Sequence, residues 1–296
     1  MDIRKFEIFL DTIDSGSLTK TAQALGYTQS AISHTINSLE SEFNLQLLTR
    51  SRAGVSLTSE GRALLPYIRN TVTSFQEFRN KVAEIHNLDY GSIRIGTFTS
   101  TAVHWLPGIL SSFRDLYPSI QFEVKYGNYA EIAEWILQGR IDCGFTIAPE
   151  ISGIRHVPLK KDRFLVIYPP GHPLSLLKKI NPSDVANYPY ILVIEGDDPI
   201  IRNFFTDNDI HLNIQYRVVD DYAAVAMVES GLGITVTPEL FFYRLAFNVD
   251  HRALNTPFRR QLAISYKDHF TVSPVVTRFI AHVQNWAADN AYPFDE

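Results

Sequence analysis

The stretch Ser15-Gly16-Ser17-Leu18-Thr19-Lys20-Thr21-Ala22-Gln23-Ala24-Leu25-Gly26-Tyr27-Thr28-Gln29-Ser30-Ala31-Ile32-Ser33 decides how this chain is read. Ser17 is a natural N-cap, because its hydroxyl can accept from a free backbone N–H of the following turn, and it predicts a helix over residues 18–25. Gly26-Tyr27 breaks that helix, and Thr28 caps a further one running to about residue 43. Upstream, Phe6, Phe9, Leu10 and Ile13 recur at helical spacing and predict a first helix. Two helices joined by roughly a three-residue turn containing Gly have the spacing of a helix-turn-helix. Residues 47–58 then carry two short extended ends around Ala53-Gly54, the pattern of a small β-hairpin or wing.

Placing Ile32 inward on the third helix puts Ile36, Leu39 and Phe43 beside it, and turns Ser30, His34, Asn37 and Ser41 outward with Ser33 at the margin. These short hydrogen-bonding side chains suit a helix reading base edges in the major groove, and Gln29 could make the bidentate contact to adenine. On composition alone, an ordinary solvated face is the commoner explanation of the same pattern. Charge adds little, since residues 1–90 hold slightly more acidic than basic side chains. Phosphate anchoring would rest on Arg4, Lys5, Lys20, Arg50 and Arg52, with backbone N–H groups at helix starts.

Outside this region the chain reads as a second, larger domain. Its 296 residues suggest about two domains. A 45% hydrophobic and 20% charged composition is that of a globular protein with a real core. A net charge of −5 supplies no global attraction to nucleic acid, and the single Cys143 can form neither an internal disulfide nor a cysteine-based zinc site. A reducing cytoplasm is the expected compartment. The first residues mix charges through their apolar run, unlike a secretory signal, and no uninterrupted apolar stretch approaches the ~20 residues of a membrane helix.

From Ser59 one long helix is predicted to about His86. Leu65, Ile68, Val72, Phe75, Phe78, Val82 and Ile85 form one apolar stripe, suited to packing on a second copy of itself. Beyond residues 88–92, strands and helices alternate: a strand at 93–96, one helix over 100–117, strands at 120–126, 141–147 and 164–168, and further units to a closing helix at 272–288. That order implies an α/β fold with mostly parallel sheets, in two lobes.

Thr97-Phe98-Thr99-Ser100-Thr101 follows a strand and opens a helix, so its hydroxyls and free N–H groups suit a carboxylate or other anion, or form a plain cap. Gly231-Leu232-Gly233 follows a helix and precedes a strand, the reverse of a phosphate-cradling turn, and more simply ends the helix. The nine histidines show no metal-ligand spacing, and Asp197-Asp198 before Pro199 reads as a helix start.

With these residues in view, the chain resembles the LysR-type transcriptional regulators. The likeness runs through 15–25, Thr28-Gln29-Ser30-Ala31-Ile32-Ser33, Leu39-Glu40, Leu47-Leu48-Thr49-Arg50 and Leu57-Thr58-Ser59-Glu60-Gly61. It continues with Leu106-Pro107, Tyr117-Pro118, Gly139-Arg140-Ile141-Asp142, Gly171-His172-Pro173-Leu174, Gly231-Leu232-Gly233-Ile234 and Pro238-Glu239. Departures are Thr21 for the first of a usual Ala-Ala pair, Leu48 where Phe is common, and His34 where Arg is frequent.

The resemblance implies a winged helix-turn-helix at 1–60, a linker and dimerisation helix at 61–88 and a two-lobed, periplasmic-binding-protein-like effector domain at 89–296. Lobe I would be 91–163 and 267–296, and lobe II 164–266. DNA contacts would come from Thr28, Gln29, Ser30, Ser33, His34, Asn37, Arg50 and Arg52. A small effector would meet Thr99, Ser100, Thr101, Asn128, Thr146, Pro199 and Ile200, with no other cofactor and no metal. For Asn128 and Ile200, turn chemistry and core packing are equally good readings. Expected partners are promoter DNA, a second or further copies through the linker helix and effector domains, and RNA polymerase, but no membrane. A ligand-binding module without DNA contact and an α/β enzyme are the competing readings. The enzyme would need an activated nucleophile or acid–base pair that the spacing does not show.

Overall fold

The computed structural model describes residues 2–51, 54–85, 90–147, 151–194, 200–243, 246–268 and 272–290. They form two compact units, Met1–Leu88 with Gln138–Arg140, and Asp89–Leu137 with Ile141–Glu296.

In the first unit, α1 (Ile3–Ser15), α2 (Leu18–Leu25) and α3 (Gln29–Phe43) precede a hairpin of β1 (Leu48–Ser51) and β2 (Gly54–Leu57), then α4 (Ser59–Ile85). The caps are those expected: Ser17 Oγ accepts from the Lys20 N–H at 3.3 Å and Thr28 Oγ1 from the Ala31 N–H at 3.2 Å. Phe9, Ile36, Leu39 and Leu47 are wholly buried in one core with Ile32. Gly54 is required where the wing touches the first turn. The Val55 N–H donates to the Gly16 carbonyl at 2.9 Å, φ of Gly54 is +123°, and a Cβ there would lie 2.7 Å from that oxygen.

Glu40 ties the wing to α3, since its Oε1 accepts from the N–H groups of both Leu47 (2.7 Å) and Leu48 (3.0 Å). Glu40→Ala would leave two buried donors without their acceptor and is expected to cost about 1–3 kcal/mol. A far-UV circular dichroism melt checks this, and Glu40→Gln, which keeps one acceptor oxygen, should lose less. Leu64, Leu65, Ile68 and Val72 of α4 pack on the same core, whereas Tyr67, Phe75, Phe78 and Val82 are exposed.

The second unit runs β3 (Tyr90–Thr97), α5 (Thr99–His104), α6 (Leu106–Leu116), β4 (Ser119–Tyr126), α7 (Tyr129–Leu137), β5 (Cys143–Ile147), β6 (Ile154–Tyr168), α8 (Pro182–Val185), β7 (Tyr190–Val193), α9 (Ile200–Asp207), β8 (Ile214–Val218), α10 (Asp221–Glu229), β9 (Thr235–Pro238), α11 (Glu239–Phe242), β10 (Asp250–Ala253), β11 (Arg259–Lys267) and α12 (Pro274–Asp289). The main sheet has the order β10-β6-β11-β5-β3-β4 with β9 also on β6, and β7–β8 form a separate pair. Ile93, Ile95, Phe113, Phe145 and Phe279 centre one core, and Phe164, Val166, Tyr190 and Phe205 centre another. Strand β6 contributes to more than one core, Ile154 to the first and Phe164 to the second.

Three expectations need correction. The helix expected over 100–117 is two, α5 and α6, broken at Trp105, because Pro107 has no N–H to give the preceding turn and crowds its carbonyl. The strand expected at 164–168 begins ten residues earlier, at Ile154. Pro158 hides this in the sequence, but it sits at a register shift against Ala263, the kind of bulge where a sheet tolerates proline. The sheets are mixed rather than mostly parallel. Pairs β3–β4, β3–β5 and β7–β8 are parallel, and the four pairs made by β6 and β11 are antiparallel. A chain that leaves one part of the sheet along β6 and returns along β11 lays the two antiparallel.

Burial lowers the affinity of His172, His251 and His282 for a proton below the ordinary value of 6.5. The unfolded chain then holds more protons than the native one just below that value, so stability falls as pH drops through 6.5. Glu239, raised chiefly by burial, acts in the opposite sense nearer 4.5. The urea midpoint of the second unit is therefore expected to be lower at about pH 6 than at about pH 7.5, and an unchanged or higher midpoint would contradict it.

Candidate nucleic-acid interface and ligand site

Helix α3 buries Ile32, Ile36 and Leu39 and exposes Gln29, Ser30, His34, Asn37 and Ser41, with Ser33 half-buried. Thr28 is committed as the cap and shares a hydrogen with Ser30 Oγ at 3.0 Å. The basic side chains are less free than the sequence suggested. Arg4 donates to Glu7 at 2.9 Å, and Lys5 donates to Ser38 Oγ at 2.8 Å and to Glu42. Lys20 is exposed, and Arg52 lies outside the described residues.

Arg50, expected to hold phosphate, lies against two of the side chains expected to read bases. Its Nη1 donates to Ser33 Oγ at 2.8 Å and its Nη2 to Asn37 Oδ1 at 2.5 Å, so the wing arginine lies across the outward face of α3. Ser33 and Asn37 are four residues apart and stand one above the other, a spacing that a planar guanidinium bridges.

In the second unit, Thr99, Ser100 and Thr101 open α5, and no side chain caps its first turn. Their hydroxyls face different ways. Thr99 Oγ1 shares a hydrogen with the Tyr126 hydroxyl. Thr101 is wholly buried, donating to the Phe98 carbonyl at 3.1 Å and meeting Thr97 Oγ1 at 2.9 Å, so it is turned inward rather than toward a ligand. Ser100 Oγ accepts from Nη2 of Arg260 at 2.8 Å, which leaves its own hydrogen to donate.

Arg260 is the centre of this region and sequence reading missed it. Only 4% exposed, it pairs through Nη2 with Asp162 Oδ2 at 2.7 Å and donates from Nη1 to the Tyr129 hydroxyl. Asp162 Oδ1 in turn accepts from the Leu240 N–H at 3.0 Å, at the start of α11. Five elements, α5, α7, β6, α11 and β11, therefore meet through one guanidinium and one carboxylate. Near Tyr126, the Tyr222 hydroxyl of α10 is raised by burial first, then by Asp221, Asp220 and Tyr126.

Asn128, Ile200 and Thr146 each make contacts within the fold. Asn128 caps α7: its Oδ1 accepts from the Glu131 N–H at 3.0 Å, and its own N–H donates to Glu131 Oε2 at 2.9 Å. Turn chemistry thus accounts for it. Ile200 packs against two hydrophobic cores, and Pro199 lies outside the described residues. Thr146, 2% exposed, meets Ser265 Oγ at 2.6 Å, and Ser265 meets His156 Nδ1 at 2.8 Å. His156 Nε2 accepts the Ile151 N–H at 3.1 Å, which puts the ring proton on Nδ1, donating to Ser265. A ring holding its proton toward the serine cannot take the serine's proton there, so this pair lacks the polarity of a nucleophile and its base. Among the described residues no cluster of His, Cys, Asp and Glu could hold a metal, and no helix is long and apolar enough to cross a membrane.

Known proteins show the same two-part plan. Residues 3–62 match the family described as bacterial regulatory helix-turn-helix protein, lysR family, and residues 86–288 match LysR substrate binding domain. The uncharacterized HTH-type transcriptional regulator YvbU of Bacillus subtilis is 29% identical over 241 residues, covering 81% of this chain and 82% of its own. The transcriptional activator CmpR of a Synechocystis species is 28% identical, covering 82% and 80%. The crystal structure of full-length CbnR with its target DNA superposes with a TM-score of 0.68 over 97% of this chain and all of that one. Its 20% identity makes that a likeness of fold.

Proposed function

This chain belongs to the LysR family of DNA-binding transcriptional regulators with an effector-binding domain, and we propose that it reads a promoter through α3 and answers to a small anionic effector. The capped helix with an uncharged hydrogen-bonding face, locked to its wing by Glu40, carries the DNA reading. Arg260 carries the effector reading: by donating to Ser100 Oγ it orients that hydroxyl and leaves its hydrogen to donate, which suits a carboxylate beside Thr99 at the start of α5. Because Ser100 and Arg260 also reach β6, β11 and α11 through Asp162, an effector that prefers one arrangement of the lobes would shift the oligomer between two shapes. That shift would alter DNA bending or half-site spacing. The exposed face of α4 with Tyr67, Phe75 and Phe78 is the proposed contact with a second copy, RNA polymerase the proposed further partner, and the cytoplasm the proposed place of action. No chemical step is required.

Two measurements test this. Fluorescence anisotropy of the full chain on duplex DNA, selected from a random pool and compared with scrambled DNA at two salt concentrations, should show a preference that survives added salt. Equal, salt-labile binding to both would oppose DNA reading. A thermal-shift panel pairing small carboxylates with their neutral amides should raise the melting temperature with carboxylates only, and stabilisation by the amides instead would oppose an anionic effector.

A further inference from the structure

We propose that Ser33, Asn37 and Arg50 together form a donor-rich reading head that selects the major-groove edge of guanine, with Arg50 a base-reading residue held in place by α3. The proposal rests on the assignment of α3 as the DNA-reading helix and names what that helix reads.

Its basis is a count of donors and acceptors. Arg50 spends one N–H of Nη1 on Ser33 and one of Nη2 on Asn37. A guanidinium has five N–H donors and no acceptor, so three remain. Ser33 accepts through its oxygen, which leaves the hydroxyl hydrogen to donate. Asn37 accepts through Oδ1, which leaves both N–H groups of its amide to donate. Each of the three groups thus has donors left to offer, while Ser33 Oγ and Asn37 Oδ1 have each already spent one lone pair on Arg50.

The charge is also preserved. Arg4, Lys5 and Arg69 each face a carboxylate, but the partners of Arg50 are a neutral hydroxyl and a neutral amide. An exposed, uncompensated guanidinium pinned on the outward face of α3 goes where α3 goes. In the major groove, guanine alone offers two acceptors, O6 and N7, while cytosine offers a donor and adenine pairs its N7 with a donor.

The test uses the full chain and duplexes selected from a random pool by the wild type. The selected half-site should contain a required G·C pair. Replacing that guanine with 7-deazaguanine, which removes N7, should weaken binding about tenfold. Replacing it with inosine, which leaves the major-groove edge intact, should not. Arg50→Ala and Arg50→Lys should lower discrimination at that pair by about tenfold or more while the salt slope stays near that of the wild type. Asn37→Asp is the sharper variant. It keeps a hold on Arg50 but neutralises it and replaces the outward amide donors with an acceptor, so it should lose the guanine preference as Arg50→Ala does. Circular dichroism confirms that each variant is folded.

If Arg50→Ala lowers binding to selected and unrelated DNA by one common factor and reduces the salt slope by about one, Arg50 is a phosphate anchor and the proposal fails. It fails equally if no selected G·C pair depends on Arg50. A wild-type chain that selects no sequence at all would remove the DNA-reading assignment itself, an outcome distinct from either.

Discussion

Arg260→Met is expected to cost the second unit about 3–5 kcal/mol. The residue is 4% exposed and its partner Asp162 is 3% exposed, so the substitution leaves a carboxylate buried with only the Leu240 N–H to meet it. Removing one partner of such a pair is more damaging than replacing both, because the uncompensated charge remains. The double variant Arg260→Met with Asp162→Asn should therefore recover much of the loss, since an amide oxygen can still accept from Leu240. Trp105, Trp135 and Trp286, the only tryptophans, all lie in the second unit, so the urea transition of tryptophan fluorescence reads this effect directly. A single variant as stable as the wild type would show that Asp162 finds another partner or takes up a proton at little cost. The double variant should still lose carboxylate-induced stabilisation, because Ser100 is then free to turn its hydroxyl either way.

Ile36→Ala should be comparably costly in the first unit. Ile36 has no exposed surface and packs with Phe9, Ile32 and Leu39, so the substitution removes buried methyl groups and leaves a cavity worth about 2–5 kcal/mol. For a domain of this size, whose whole stability is only some 0.05–0.15 kcal/mol per residue, that is a large share. DNA binding and helical circular dichroism should fall at lower temperature than in the wild type, while the tryptophan transition stays where it was. A tryptophan transition that moved with the helix signal would mean that the two units unfold as one.

Much of the first unit was legible because its determinants are local. Ser17, Gly26 and Thr28 punctuate helices through bonds spanning three or four residues, and Ile32, Ile36 and Leu39 announce the buried face by period alone. Effects between distant residues were not legible. Nothing in the segment around Arg50 says that its guanidinium crosses to Ser33 and Asn37, and Arg260 and Asp162 meet 98 positions apart. Thr146 and Ser265 meet from 119 positions apart, with His156 on a third strand, so the bonds that hold the threonine inside the fold could not be read from its own segment. Pro158 and the charged run Lys160-Lys161-Asp162-Arg163 mask the first part of strand β6 in the sequence. In the fold the proline falls at a bulge, and Asp162 and Arg163 are answered by Arg260 and Glu239.

The one thiol of the chain, Cys143, begins strand β5 with no exposed surface, and burial pushes its proton affinity well above that of an ordinary cysteine. Peroxides, maleimides and disulfides are attacked by the thiolate, which this site withholds both chemically and sterically. The folded protein should therefore be indifferent to mild oxidants and alkylating reagents. A single cysteine introduced on its surface would then be the only point of attachment for a spin label or fluorophore, with no native residue to be removed first.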